Sequence, residues 1–153
     1  MNVVKTHRFP ASVQWRGGRL TQAQAPGRPT LEVATPPEFR GGIEGVWSPE
    51  GLLVASVASC FAVTLAAVAE AAHVELTSIE VDGLGRVERS PEGRFEFTAI
   101  ELTLEVGAEG EHPHALQSLV EDAERLCIVR AALDVPVHVR LVQASAIGVA
   151  LSG

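Results

Sequence analysis

The order of apolar and polar positions changes period along the chain, and each change marks an element. Over residues 10–35, Val13 and Trp15 alternate with polar neighbours, and Gly17-Gly18 makes a turn. Arg19 and Leu20 begin the return, and Pro26-Gly27 turns again ahead of Leu31 and Val33. Alternation punctuated in this way predicts a short β-meander. Pro36-Pro37 ends it, because proline cannot donate to a strand ladder. Residues 38–47 read as a loop rich in glycine, with Gly41, Gly42 and Gly45.

From Leu52 to Ala69 the pattern becomes an unbroken run of 18 uncharged residues. Ser48 ahead of it is a good N-cap, Pro49 suits the first helical position, and Glu50 in the first turn complements the helix dipole. The helix is expected to reach about His73, roughly 25 residues and about 38 Å at 1.5 Å per residue. Ala58, Ala62, Ala66 and Ala69 form a small-residue stripe along which a helix or sheet could approach closely. The run is close to membrane-span length. It is nonetheless rich in alanine, contains Ser56, Ser59, Cys60 and Thr64, and is bracketed by Glu50 and Glu70 without a basic flank. A helix apolar all round is a buried helix, so a central core helix is expected and no membrane span.

Period 2 then returns. Residues 76–89 carry Ile79 and Val81, with Gly83 and Gly85 expected to mark a bend or bulge. Ser90-Pro91-Glu92-Gly93 fits a type I turn. Residues 94–106 alternate at Phe95, Phe97 and Ala99, then shift phase to Ile100, Leu102, Leu104 and Val106, which predicts a β-bulge near Ala99. Pro113 opens a second helix, with Leu116, Leu119, Val120, Ala123, Leu126 and Cys127 on one face. Val137, Val139 and Leu141 make a last strand. Residues 144–151 are apolar and uncharged, compatible with an edge strand, a docking segment or disorder. The fold class is α+β with a mostly antiparallel sheet. A long helix apolar on all faces needs more cover than one small sheet supplies, and an intertwined homodimer would provide it.

Composition narrows the function classes. At 153 residues with 46% hydrophobic content, residues 1–153 form a single domain with a real core. Nineteen acidic against twelve basic residues, a net charge of −7, argue against a nucleic-acid partner, which needs a basic face. The N-terminus has no long apolar stretch after a basic start, so a cytoplasmic, reducing setting is expected. Two cysteines are too few for a disulfide framework or a four-cysteine zinc site. Cys60, Cys127, His73 and His112 lack tight metal-ligand spacing.

The candidate chemistry therefore falls on the thiols, each of which also has a plain reading. Cys60 in an apolar helix can be a small core hydrophobe, and burial alone would keep it inert. A reactive Cys60 needs help from elsewhere in the fold. Cys127 ends the second helix, where the dipole disfavours a thiolate. If the pair is redox-active, Cys60 is the better attacker and Cys127 the better resolver. Glu50 can simply complement the dipole, and Arg19 can be a plain turn cation. Glu50 and Cys60 are about 15 Å apart along one helix. They share a site only if one comes from a partner subunit, or if Arg19 or a ligand spans the gap.

At these residues the sequence resembles the OsmC/Ohr family of thiol-dependent peroxidases. Ser48-Pro49-Glu50-Gly51-Leu52-Leu53 followed by Ala58-Ser59-Cys60-Phe61 is similar to the family's N-P-E-x-L-L and A-S-C-F central helix. Ala123-Glu124-Arg125-Leu126-Cys127 is similar to its A-E-x-x-C, and Gly17-Gly18-Arg19 to its G-G-R element. The resemblance runs from about Val13 to Val142. It implies an intertwined homodimer whose antiparallel sheets wrap round a long central helix, with active sites at the subunit interface. Cys60 matches the peroxide-attacking cysteine, Cys127 the resolving cysteine, Arg19 the thiolate-stabilising arginine and Glu50 the carboxylate that orients it. Two departures stand out. Cys127-Ile128-Val129-Arg130 replaces the frequent C-P-x-S and gains a charge, and the residues after Arg19 lack the usual Asp-Gly, which makes Arg16 a rival cation.

The chemistry so implied is reduction of organic hydroperoxides, in preference to hydrogen peroxide, through a Cys60 sulfenic acid and a Cys60–Cys127 disulfide. A thiol or dithiol reductant, a lipoylated protein among the candidates, would restore both thiols without any metal or organic cofactor. Two other readings stay open: a non-catalytic binding or structural member of the same fold, and a hot-dog thioesterase-like dimer using Glu50.

Overall fold

A computed structural model describes residues 5–110 and 113–143. His112 and residues 144–151, for which expectations were given above, lie outside the described residues. The chain divides into two compact units, the first ending at Leu52 and the second beginning at Leu53.

The first unit is the expected meander. Strands β1 (Ser12–Gly17), β2 (Leu20–Gln24) and β3 (Leu31–Ala34) form an antiparallel sheet in the order β1-β2-β3. Gly17 and Gly18 take φ of 108° and 53°, values that favour glycine, and so close the first hairpin. The register slips between Trp15 and Gly17, which leaves Arg16 as the extra residue of a bulge. The Trp15 indole N–H donates to the Gly18 carbonyl at 3.0 Å across the same turn. Alternation at Val13 and Trp15 is present, but the face it defines is exposed in one chain. The glycine loop folds tightly on itself: Phe39 N–H donates to Pro36 O and Gly42 N–H to Phe39 O, each at 3.0 Å. A Cβ on Gly42 would stand 2.0 Å from the Pro36 carbonyl oxygen, so only glycine fits there.

The long helix α1 (Pro49–Ala71) begins as the sequence predicts. The Ser48 hydroxyl accepts from Gly51 N–H at 2.9 Å and so satisfies one of the free amides of the first turn. The helix stops two residues short of His73, which adopts φ of 57°. Val74 N–H then bonds to Ala69 O and His73 N–H to Glu70 O, a Schellman closure with histidine in the place glycine usually takes.

The second unit packs residues 53–71 of α1 and α2 (Pro113–Leu126) against a sheet of β4 (Leu76–Arg89), β5 (Phe95–Ala108) and β6 (Val137–Gln143), in the order β4-β5-β6. Its core joins Val57, Phe61, Leu65 and Ala69 of α1 to Ile100, Leu102, Leu104 and Val106 of β5 and to Leu119, Val120 and Ala123 of α2. The β5 residues are every second one, so they line one face of the strand. Glu101, Thr103 and Glu105 take the other face, where Arg86 pairs with Glu101 at 3.2 Å. Gly93 N–H donates to Ser90 O at 2.8 Å, as the expected turn requires. The phase shift near Ala99 is a bulge, since Arg86 faces Ala99 and Val87 faces Phe97, leaving Thr98 unpaired.

Four details differ from the sequence reading. Gly83 and Gly85 sit in unbroken register and mark no bend. They make room instead: a Cβ on Gly83 would lie 2.7 Å from Val54 Cγ1, and one on Gly85 2.7 Å from Phe97 Cε1 and 2.8 Å from Val54 Cγ2. The close approach to α1 thus comes from glycine on the sheet. The inward line of the helix is Val57, Phe61, Leu65 and Ala69; of the small-residue stripe, Ala69 belongs to that line and Ala58 faces Gly83, whereas Ala66 is exposed. Leu126 turns out of the α2 face and is 50% exposed. The sheet is antiparallel at β4–β5, but β6 runs parallel to β5 because α2 carries the chain back across it.

Replacing Gly85 by Ala tests the close approach. It should cost about 1–3 kcal/mol, the usual effect of overpacking a filled core. Urea unfolding should show a lower midpoint with an unchanged slope.

Candidate active site

Cys60 lies in the middle of α1, part-exposed and packed beside the core of the second unit. Cys127 is fully buried. Its backbone ends one helix and begins another. Its N–H still donates to Ala123 O at 2.9 Å, as the last bond of α2, and its C=O accepts from Ala131 N–H at 3.0 Å. Between these bonds it takes φ −67° and ψ 108°, an extended conformation that separates α2 from the single turn α3 (Ile128–Ala131). The sequence reading missed α3, since one turn is too short to show a helical period.

The break gives the backbone something to offer. In a continuous helix the N–H groups of Ile128 and Val129 would donate to the carbonyls four residues earlier. Here both face the Cys60 sulfur, together with the Cys127 thiol. Burial pushes the Cys60 thiol up. Hydrogen bonds to its thiolate from Val129 N–H, the Cys127 side chain, the Thr64 hydroxyl and Ile128 N–H outweigh that, and the net shift is downward. The Thr64 hydroxyl has one proton, which goes to the Cys60 carbonyl at 2.7 Å in this structure. The amides are therefore the steadier donors. Cys127 moves the opposite way: burial and the neighbouring Cys60 thiolate raise it, against N–H donation from Arg130 and Val129. Both thiols are free.

The structure thus brings Cys60 and Cys127 together. Arg19 and Glu50 belong to the first unit. Arg19 occupies the β1–β2 turn, exposed, with its side chain over Gly41, whose Cβ would stand 3.2 Å from Arg19 Cγ. Arg16 is the bulge residue at the same hairpin end and is also exposed. Glu50 turns one carboxylate oxygen, Oε2, into a place closed to solvent where no donor meets it. Among the described residues no ion pair joins Arg19 or Arg16 to Glu50. The residues the sequence reading missed are Thr64, legible as the i+4 neighbour of Cys60, and the amides of Ile128 and Val129, which carry no side-chain signature.

The sequence model of the OsmC-like protein family matches residues 42–142. The chain belongs to the OsmC-like family. Solved structures agree on the fold. An organic hydroperoxide resistance protein OsmC from Legionella pneumophila is 25% identical, with 94% of this chain and 100% of that one covered and a TM-score of 0.73. An organic hydroperoxide resistance protein from Elizabethkingia anophelis is 22% identical, with 94% and 99% covered and a TM-score of 0.76. An OsmC-like protein of unknown function from Vibrio cholerae is 16% identical, with 90% and 100% covered and a TM-score of 0.81. No curated protein matches by sequence. The apolar helix, long enough to cross a membrane, is the core helix of this OsmC-like fold.

The shifts of the two thiols set an order of reaction. Only the thiolate is nucleophilic, so the thiol with the lower pKa is alkylated first as pH rises. Iodoacetamide should modify Cys60 well before Cys127 near neutral pH, as read by peptide mass spectrometry. Equal rates would contradict the site geometry.

Proposed function

We propose that this OsmC-like protein is a cysteine-based peroxidase that reduces organic hydroperoxides. The observation that carries the reading is a part-exposed thiol, lowered by backbone donors, facing a second free thiol. The Cys60 thiolate attacks the terminal peroxide oxygen, the O–O bond breaks, and the alkoxide leaves and takes a proton to become the alcohol. Cys60 is then a sulfenic acid. The Cys127 thiol condenses with it to give a disulfide and water. A thiol or dithiol reductant, a lipoylated protein among the candidates, returns both cysteines to thiols and is itself oxidised to a disulfide.

Other features support the reading without being required by it. Leu126 and Ile128, 50% and 80% exposed, flank Cys127 with apolar surface suited to an organic group. Two of the structurally similar proteins are called organic hydroperoxide resistance proteins. Glu50, with one oxygen lacking a donor, suits the carboxylate that orients a guanidinium, and Arg19 is our choice for that cation over Arg16. Exposed Val13, Trp15 and Val63 favour a homodimer, with residues 1–153 as one domain of it. The proposed setting is cytoplasmic.

Turnover of an organic hydroperoxide with a dithiol donor tests the function. The wild type should be active, and Cys60→Ser should fall to the uncatalysed rate. Equal rates would end the peroxidase reading, and hydrolysis of an acyl thioester that survives Cys60→Ser would replace it with the thioesterase one. Arg19→Ala should raise the pH midpoint of Cys60 alkylation by about one unit, the usual effect of removing a close cation. An unchanged midpoint would move the role to Arg16 or elsewhere. Light scattering at micromolar concentration should give twice the chain mass, and a monomer would exclude the dimer.

A further inference from the structure

The extended residue Cys127 frees more than two amides. It also orphans the carbonyl of Glu124, which would have accepted from Ile128 N–H in a continuous helix. Arg130 takes that carbonyl. Its Nη1 donates to Glu124 O at 3.3 Å, and its Nη2 stands 3.5 Å from Glu124 Oε2. The two residues lie three positions on either side of Cys127, so the arginine reaches back across the break and closes it.

The clasp is not an ordinary surface pair. Its side chains are 33% and 31% exposed, against 68% and 46% for Arg125 and Asp122 in the same stretch. Arg130 Nε is shut away from solvent with no acceptor, a desolvation that a freely swinging arginine would avoid. The guanidinium is therefore held in one place. What it holds is the corner whose next residues are Ile128 and Val129, both β-branched and so poorly inclined to stay helical on their own.

We propose that Arg130 and Glu124 are positioning residues, which hold the α2–α3 corner so that Cys127 and the amides of Ile128 and Val129 stay aimed at the Cys60 sulfur. The purpose assigned to this corner rests on the peroxidase reading, whereas its geometry does not. The action runs through position. The donors that lower Cys60 are amides and side chains from this corner and from Thr64, and the Arg130 charge is not among its causes.

Position and charge make opposite forecasts for Glu124→Gln, and the same one for Arg130→Gln. Arg130→Gln removes both the clasp and a cation. Glu124→Gln weakens the clasp but leaves the cation and removes a neighbouring anion. The pH profile of Cys60 alkylation, read by peptide mass spectrometry on the reduced full chain, separates them. A positioning role moves the midpoint upward in both variants, by roughly 0.5–1 in pH for a misaligned donor to a thiolate. A downward move in Glu124→Gln, or profiles in both variants that superimpose on the wild type, would overturn the proposal. Should Arg130→Gln not fold, Glu124→Gln decides alone. Because the measurement uses no peroxide, a wild type inactive toward hydroperoxides would sink the peroxidase reading and leave this result standing.

Discussion

On the peroxidase reading, the site turns on one electrostatic constraint: a thiolate must be stable on an apolar helix. Val57, Ala58, Phe61 and Val63 lie around Cys60 along α1, with Ser56, Ser59 and Thr64 among them, and burial there favours the neutral thiol. The helix gives no dipole at its middle to offset this. Dipoles must be brought from another element, and they must be fixed, because a donor that has to reorganise returns less than one already aimed. The start of α3 supplies them through the N–H groups of Ile128 and Val129.

That requirement explains why α2 stops where it does. A helix continued through Cys127 would spend those amides on its own carbonyls. A helix ended by a long loop would leave them without a fixed direction. One extended residue followed by one turn frees them and keeps the chain taut, with Cys127 N–H and C=O still engaged on either side. The same break places the second sulfur at the corner. Glycine at positions 83 and 85 does the matching work opposite, since it lets Val54 of α1 come against the sheet at a distance that a Cβ would forbid.

Much of this was legible in the sequence, for local reasons. Ser48-Pro49-Glu50 is a helix start whatever surrounds it, and Ser90-Pro91-Glu92-Gly93 is a turn by its own dihedral preferences. The phase shift at Ala99 is a bulge because side chains must alternate. What escaped was non-local. Nothing near Gly83 says that Val54, 29 positions earlier, will press on it, so glycine reads as a bend. The parallel pairing of β6 depends on where α2 lays the chain down. Cys60 and Cys127 were paired by likeness to a family, and the amides between them are backbone, which sequence does not annotate by type. Arg130 was visible as an added charge, but its partner six residues back lies off any helical spacing.

On the peroxidase reading, the asymmetry of the two thiols also bears on the choice of reductant. A thiol attacking the Cys60–Cys127 disulfide expels the better leaving group most readily, and that is the sulfur with the lower pKa, Cys60. This route needs attack at Cys127, which is fully buried. Access favours the part-exposed Cys60 sulfur instead, at the disadvantage of expelling Cys127. A monothiol arriving there leaves a mixed disulfide on Cys60 and needs a second molecule to clear it. A dithiol carries its second sulfur with it, and that sulfur attacks the mixed disulfide within the same encounter, expelling Cys60 as the good leaving group. Burial of one cysteine and depression of the other therefore favour a dithiol donor before any property of the donor is considered.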